Sequence, residues 1–181
     1  MQNKIVAIVG MCGSGKSVVT KTFVEQGWKM EYFGKITMDT LAEKDMEVTP
    51  ENEKMVREGL RREYGPDAYA KKLLPIIHED VKKRNTVLDG LYSWSEYTYL
   101  KKNLDSDFIV LAVITNKKDR YLRLTTREVR PLTNEQAEAR DIAEIENLEK
   151  GGPIAMADHF IMNAGSEADL KQATLDFIQS L

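Results

Sequence analysis

Residues that staple, anchor or link a fold are scarce in this chain. Its one cysteine, Cys12, closes no internal disulfide, which fits folding in a reducing cytoplasm. The two histidines, His78 and His159, have no second His or Cys at ligand spacing, so both are expected to be structural and zinc is not expected. No run approaches the roughly 18 apolar residues of a membrane span, and the N-terminus passes into an apolar strand pattern without the marks of a signal peptide. A soluble, cytoplasmic protein is expected, with no membrane partner. Gly/Ser/Pro linkers, internal repeats and low-complexity stretches are missing too, so residues 1–181 read as a single domain with one core. The net charge is −3 and the lysines are scattered. Without a basic face, nucleic acid is not expected as the main partner. The oligomeric state stays open.

What the chain does hold is Gly10-Met11-Cys12-Gly13-Ser14-Gly15-Lys16-Ser17, directly after the apolar run Ile5–Val9. Each position of this G-x-x-x-x-G-K-S pattern has a physical task. Gly10, Gly13 and Gly15 permit backbone angles that side chains forbid, so successive N–H groups can wrap an anion. The backbone through Cys12, Ser14 and Val18 belongs to the expected phosphate cradle, and the helix that follows points its positive dipole end at the ligand. Lys16 is expected at the β- and γ-phosphates, and the Ser17 hydroxyl on the Mg²⁺ that travels with them. ATP with Mg²⁺ is therefore the expected ligand. A helix N-terminus lowers a thiol's pKa, which would make Cys12 reactive; the plainer alternative is a small residue packed under the loop.

Strand-like and helix-like stretches alternate from end to end. Strands are expected at residues 4–9, 29–33, 86–89, 108–115 and 159–162, giving an α/β fold with a five-stranded parallel sheet and helices on both faces. The ligand site is expected at the C-terminal edge of that sheet. Thr49-Pro50 reads as a cap with a first-turn proline, and the helix it opens runs to Tyr64 before Gly65. Residues 67–84 read as a helix bent or divided by Pro75. Thr133-x-x-Gln136 and Ser166-x-x-Asp169 resemble capping boxes, and Gly151-Gly152-Pro153 reads as the stop of the helix from Asn134. Glu144, Glu146, Glu149 and Lys150 read as a solvated charged face on it.

Two further constellations carry chemistry. Thr86-Val87-Leu88-Asp89-Gly90 is a short apolar strand ending in an acid, placed to hold Mg²⁺ or to accept a proton from an attacking hydroxyl. The alternative is that Asp89 caps the helix starting near Ser93. Arg120, Arg123, Arg127, Arg130 and Arg140 follow the fourth strand. Arginines that close over a moving phosphoryl group stabilise its charge and exclude water. Arg123 and Arg127, four apart, are expected on one helix face, with the break at 129–134 as a lid hinge. The alternative is a solvated basic face paired with Glu128 and Asp119.

These residues resemble the nucleoside-monophosphate-kinase-like branch of P-loop kinases, in particular dephospho-CoA kinases and adenylate-kinase-related proteins. The resemblance rests on the glycine loop, Leu88-Asp89-Gly90, Arg123-Leu124-x-x-Arg127, Thr49-Pro50-Glu51-Asn52, Gly65-Pro66-Asp67-Ala68 and the closing Ala157-Asp158-His159-Phe160-Ile161-Met162-Asn163-Ala164-Gly165. It implies a three-layer P-loop NTPase fold with a small lid at 120–140 and an acceptor-binding flap at 30–64. It further implies that Asn163 to Gly165 pass beside the adenine, that Arg123 lies against the base and that Arg127 reaches the phosphates. Two departures stand out. Where related kinases carry an arginine after the second strand, this chain offers Met38; where they carry Asp-Gly-x-Arg, it has Asp89-Gly90-Leu91-Tyr92. Lys35, Arg57, Arg61 and Arg62 are candidate substitutes for a phosphate clamp. Tyr32, Phe33, Tyr92 and Trp94 either stack on an acceptor ring or pack the core. The second strand carries Glu31, with Asp39 later, in place of the acid that dephospho-CoA kinases set near its end.

The reading that follows is ATP-dependent phosphoryl transfer to a small acceptor, nucleoside monophosphate or dephospho-CoA-like, with Lys16, Asp89 and Arg127 at the chemistry. Two alternatives remain. Asn116-Lys117-Lys118-Asp119 spells the N-K-x-D pattern by which GTPases read guanine, although the Asp-x-x-Gly such switches need after the third strand is missing. The other is a P-loop protein that binds ATP without transferring it.

Overall fold

The computed structural model describes residues 3–104 and 108–181. Along these the elements run β1 (Ile5–Val9), α1 (Lys16–Glu25), β2 (Lys29–Tyr32), α2 (Lys35–Glu43), α3 (Pro50–Tyr64), α4 (Ala68–Val81) and β3 (Thr86–Asp89). They continue with α5 (Trp94–Asn103), β4 (Phe108–Ile114), α6 (Lys117–Thr126), α7 (Asn134–Leu148), α8 (Gly151–Ala155), β5 (His159–Met162) and α9 (Glu167–Ser180). The five strands form one parallel sheet in the order β2-β3-β1-β4-β5, each within a residue of its expected bounds.

Burial on both faces explains why β1 is apolar throughout rather than alternating. Ile5, Ala7 and Val9 point into a core layer with Leu88, Leu73 and Ile77, while Val6 and Ile8 point into another with Val19, Phe23 and Leu170. Helices α1 and α9 cover the second face; α4 and α5 cover the first. Because β1 lies centrally, flanked by β3 and then β2 on one side and by β4 and then β5 on the other, a crevice opens above its C-terminal end. The register sets what surrounds that crevice. Ile8 pairs with Asp89, and Ile114 pairs with Met162, so Asp89, Thr115 and Asn163 all reach the same sheet edge.

Helix ends follow their caps. Thr49 accepts the Asn52 N–H with Pro50 in the first turn, and reciprocal boxes close Ser93–Glu96, Thr133–Gln136 and Ser166–Asp169. The Ser93–Glu96 box leaves no capping task for Asp89. Pro75 sits inside α4 without dividing it. Gly151-Gly152-Pro153 is not the stop that the sequence suggests: α7 already ends at Leu148 on a left-handed Glu149, and the glycines begin the short α8. Gly152 is needed there for close approach, since a Cβ would stand 2.5 Å from the Trp94 ring.

Leu73 is fully buried on α4, away from the crevice. Leu73→Ala is expected to destabilise the fold by about 2–5 kcal/mol, read as a lower denaturation midpoint with unchanged m.

Candidate functional site

The loop between β1 and α1 is held from outside by three neighbours. Asn163 Nδ2 donates to the Ser14 carbonyl at 2.9 Å, and Thr115 Oγ1 is 3.0 Å from the same oxygen and 3.2 Å from the Asn163 carbonyl. Arg120 donates to the Cys12 carbonyl at 2.9 Å, while its two terminal nitrogens grip Asp141 at 2.9 and 2.6 Å. The glycines let these neighbours come close. A Cβ at Gly13 (φ 80°) would meet the Arg120 carbonyl at 2.8 Å, and one at Gly15 (φ 100°) would meet the Asn163 amide at 2.5 Å.

Lys16 Nζ donates to the carbonyls of Gly10 and Met11, at 2.8 and 2.9 Å, rather than to a carboxylate. Burial, reinforced by the nearby charge of Lys150, pulls its pKa down to about 8. Burial pushes the Asp89 carboxyl upward, against the pull of Lys16.

A cavity of about 680 Å³ opens over the loop. Gly13, Gly15, Lys16, Ser17 and Val18 form its floor, Asp89 and Tyr92 one wall, and Arg123, Arg127, Asn163 and Gly165 the other. Gly10, Cys12 and Ser14 stand outside that lining as loop supports. The Ser14 hydroxyl is buried with no hydrogen-bond partner among the described residues. Arg123 reaches Thr115 and Asn163 at 3.4 Å each. Arg127 does not share its helix face: α6 ends at Thr126, and the Arg127 Nε turns back to the Arg130 carbonyl at 2.7 Å. Both arginines still border one cavity, because the helix stops where the chain must bend over it.

Tyr92 also lines a second cavity of about 440 Å³. Tyr32, Phe33 and Met38 form part of this wall; Arg57 and Arg61 enter from α3, Arg130 and Arg140 from the segment after α6. Carboxylates accompany them, with Glu53 3.3 Å from Arg57 and 3.8 Å from Arg130, Glu96 4.0 Å from Arg61, and Glu144 3.2 Å from Arg140. Lys35, Arg62 and Trp94 lie off it; Trp94 stacks on Tyr97 at 5.2 Å instead.

One sequence reading needs correction, and one motif takes a local role. Glu144 and Lys150 are not a solvated face: Lys150 is 2% exposed and bonds Glu144 at 2.6 Å, while Glu146 and Glu149 are exposed as expected. Asn116 and Asp119 cap α6, where Asn116 accepts the Asp119 N–H at 2.9 Å and donates to its carboxylate at 2.6 Å. Sequence reasoning also passed over Thr115 and the Arg120–Asp141 pair; partners 21 or more residues apart leave no local periodicity to find.

A parallel sheet in this order, with a glycine loop leading from its central strand into a helix, is the P-loop kinase-like fold. Solved structures that share it include two kinases. A dephospho-CoA kinase from Campylobacter jejuni is 20% identical with TM-score 0.57, covering 99% of this chain and 98% of its own. A shikimate kinase from Acinetobacter baumannii in complex with shikimate is 18% identical with TM-score 0.58, covering 98% and 94%. The chain belongs to the AAA domain family, whose pattern matches residues 6–159, and to the UPF0200 proteins. One of these, from Thermococcus kodakarensis, is 34% identical over 185 residues, covering 98% of this chain and all of the relative. Among the described residues, no helix is long and apolar enough to cross a membrane, and no group of three His, Cys, Asp or Glu is placed to hold a metal.

Lys16 is charged below about pH 8 and loses its proton above. An anion held by its ammonium is bound best by the protonated form, so ADP affinity should be flat near pH 7 and fall by up to about tenfold per unit above pH 8. Calorimetric titration from pH 7 to 9.5 checks this; constant affinity across that range would exclude Lys16 as the anion's main charge.

Proposed function

We propose that this chain is an ATP-dependent phosphotransferase acting on a small, anionic acceptor, nucleoside monophosphate or dephospho-CoA-like. The observation that carries the reading is that two cavities meet at one residue, Tyr92, with the glycine loop and Lys16 in one and four arginines in the other. A donor in the first cavity and an acceptor in the second would approach each other beside Asp89 and Tyr92.

The residues fit the expected ligand. The loop backbone with Lys16 suits a polyphosphate, and the Arg123 to Asn163 wall suits the base. Ser17 and Asp89 offer hard oxygen donors in the same cavity and would hold Mg²⁺, which when bound supplies Lewis-acid polarisation of phosphate oxygens. Asp89 would also orient the acceptor hydroxyl or phosphate. Its upward-shifted carboxyl suits the receipt of a proton in that position. Lys16 and Arg127 would offset the charge that spreads over the moving group, so that catalysis consists mainly of positioning and electrostatics. The lid is segment 120–140 and the acceptor flap 30–64. Arg57 and Arg61 on that flap stand in for the clamp that Met38 and Tyr92 cannot form.

The guanine-reading alternative draws no support from the loop cavity, whose lining includes neither Asn116 nor Asp119; at the start of α6 Asn116 accepts the Asp119 N–H and donates to its carboxylate.

The test is ADP formation from Mg-ATP with a panel of nucleoside monophosphates, nucleosides and dephospho-CoA, beside an acceptor-free control. One acceptor should stimulate turnover. Lys16→Ala should lower that turnover at least about 100-fold while thermal unfolding stays within a few degrees of wild type. ATP binding without stimulation by any acceptor would turn the assignment to a binding protein; full activity in Lys16→Ala would refute the mechanism.

A further inference from the structure

Tyr92 is the wall the two cavities share, and a cation is fixed on its ring. Lys150 stands at the α7–α8 junction with its ammonium 4.5 Å from the Tyr92 ring centroid and 2.6 Å from a Glu144 oxygen. The other Glu144 oxygen receives Arg140 Nε at 3.2 Å, and Arg140 lines the acceptor-side cavity. One carboxylate therefore serves two cations. A lysine this buried is costly, and an apolar side chain of similar length would pack the position at less cost. Fold stability alone does not account for it.

The charge balance suggests what does. Lys16, Lys150 and Arg140 carry three positive charges, while Asp89 and Glu144 supply at most two negative ones. Lys150 is also near enough for its charge to be felt at Lys16, where the two repel. Two ammonium groups that repel each other, with one carboxylate fewer than cations among these five groups, leave a site that an added anion relieves.

We propose that Lys150, held by Glu144 on the face of Tyr92, is a second fixed cation for the transfer region, which favours the terminal phosphoryl group of a nucleoside triphosphate over a diphosphate. This rests on the phosphotransferase reading of the same site. Lys150 lines neither cavity, so it acts by its field through the Tyr92 ring, as a positioning residue rather than one in contact with the substrate. Unlike a lid arginine, it is in place before any closure.

The experiment compares binding of ADP and of a non-hydrolysable ATP analogue, both with Mg²⁺, to wild type, Lys150→Met and Lys150→Arg. Lys150→Met should weaken the ATP analogue about tenfold and ADP less than about twofold, and Lys150→Arg should restore the ratio. Since Lys150→Met leaves the Glu144 carboxylate with Arg140 alone, the paired variant Glu144→Gln with Lys150→Met is measured alongside; it removes both charges and should show the same loss of preference. Equal losses on both nucleotides, or no loss, would overturn the role of Lys150 while leaving the phosphotransferase reading intact. Wild type that binds neither nucleotide would overturn both.

Discussion

The glycine loop cannot hold its own shape. Its glycines leave many backbone angles open, and its turn is closed internally only by the Ser14 N–H to Met11 carbonyl bond at 3.2 Å and by Lys16 Nζ on the Gly10 and Met11 carbonyls at 2.8 and 2.9 Å. Side chains from elsewhere supply the rest: Thr115 from the end of β4, Asn163 from the end of β5 and Arg120 from α6. Thr115 and Asn163 sit where they do because parallel register brings the strand ends to one edge, and Arg120 follows in the helix that leaves β4. The loop's geometry is thus a property of the whole sheet. Arg120 extends the chain of dependence further, since its guanidinium is fixed in both planar contacts by Asp141 on α7. Helix α6, helix α7 and the loop beside them are thus joined through one buried, bidentate ion pair, the kind that is strongly destabilising to break from one side.

The second cavity has four arginines, but Glu53, Glu96 and Glu144 stand among them. In the absence of a ligand the carboxylates hold the guanidinium groups in place and limit their mutual repulsion. An anion entering the cavity then finds donors already oriented, and less rotamer entropy is lost on binding. The carboxylates set a threshold as well. A ligand must interact with the arginines more strongly than the glutamates do, which favours phosphate, with its several acceptor oxygens, over weaker acceptors.

Local signals account for what was legible beforehand. The strands, the glycine loop, Asp89 at a strand end and the capping boxes at Thr133 and Ser166 all depend on residues within a few positions of each other, and each stands where the pattern placed it. The readings that failed had the right local chemistry and the wrong competitor. Gly151-Gly152-Pro153 has the composition of a helix stop, yet Glu149 had already taken the left-handed position, and Gly152 serves the Trp94 ring. Asn116 to Asp119, which spells a base-reading motif, also shows that one short pattern serves two purposes, for Asn116 caps α6. Glu144 and Lys150 looked like ordinary surface charge because helical spacing says nothing about what packs against the C-terminal turn. Tyr92 faces that turn, 58 positions from Lys150, and no pattern in either segment signals the meeting.

Met38 and Tyr92 show the same limit from the other side. A missing arginine at a given position is a statement about that position, whereas a phosphate responds to charge wherever the fold delivers it. Arg57 and Arg61 reach the second cavity from α3, Arg140 reaches it from α7, and Lys150 lies behind Tyr92 itself. The tyrosine makes this possible. An arginine at position 92 would repel Lys150, whereas an aromatic face attracts it. Tyr92 and Lys150 are therefore better understood as one unit, in which the aromatic ring that displaces a cation from one segment is what allows a cation from another to be buried there.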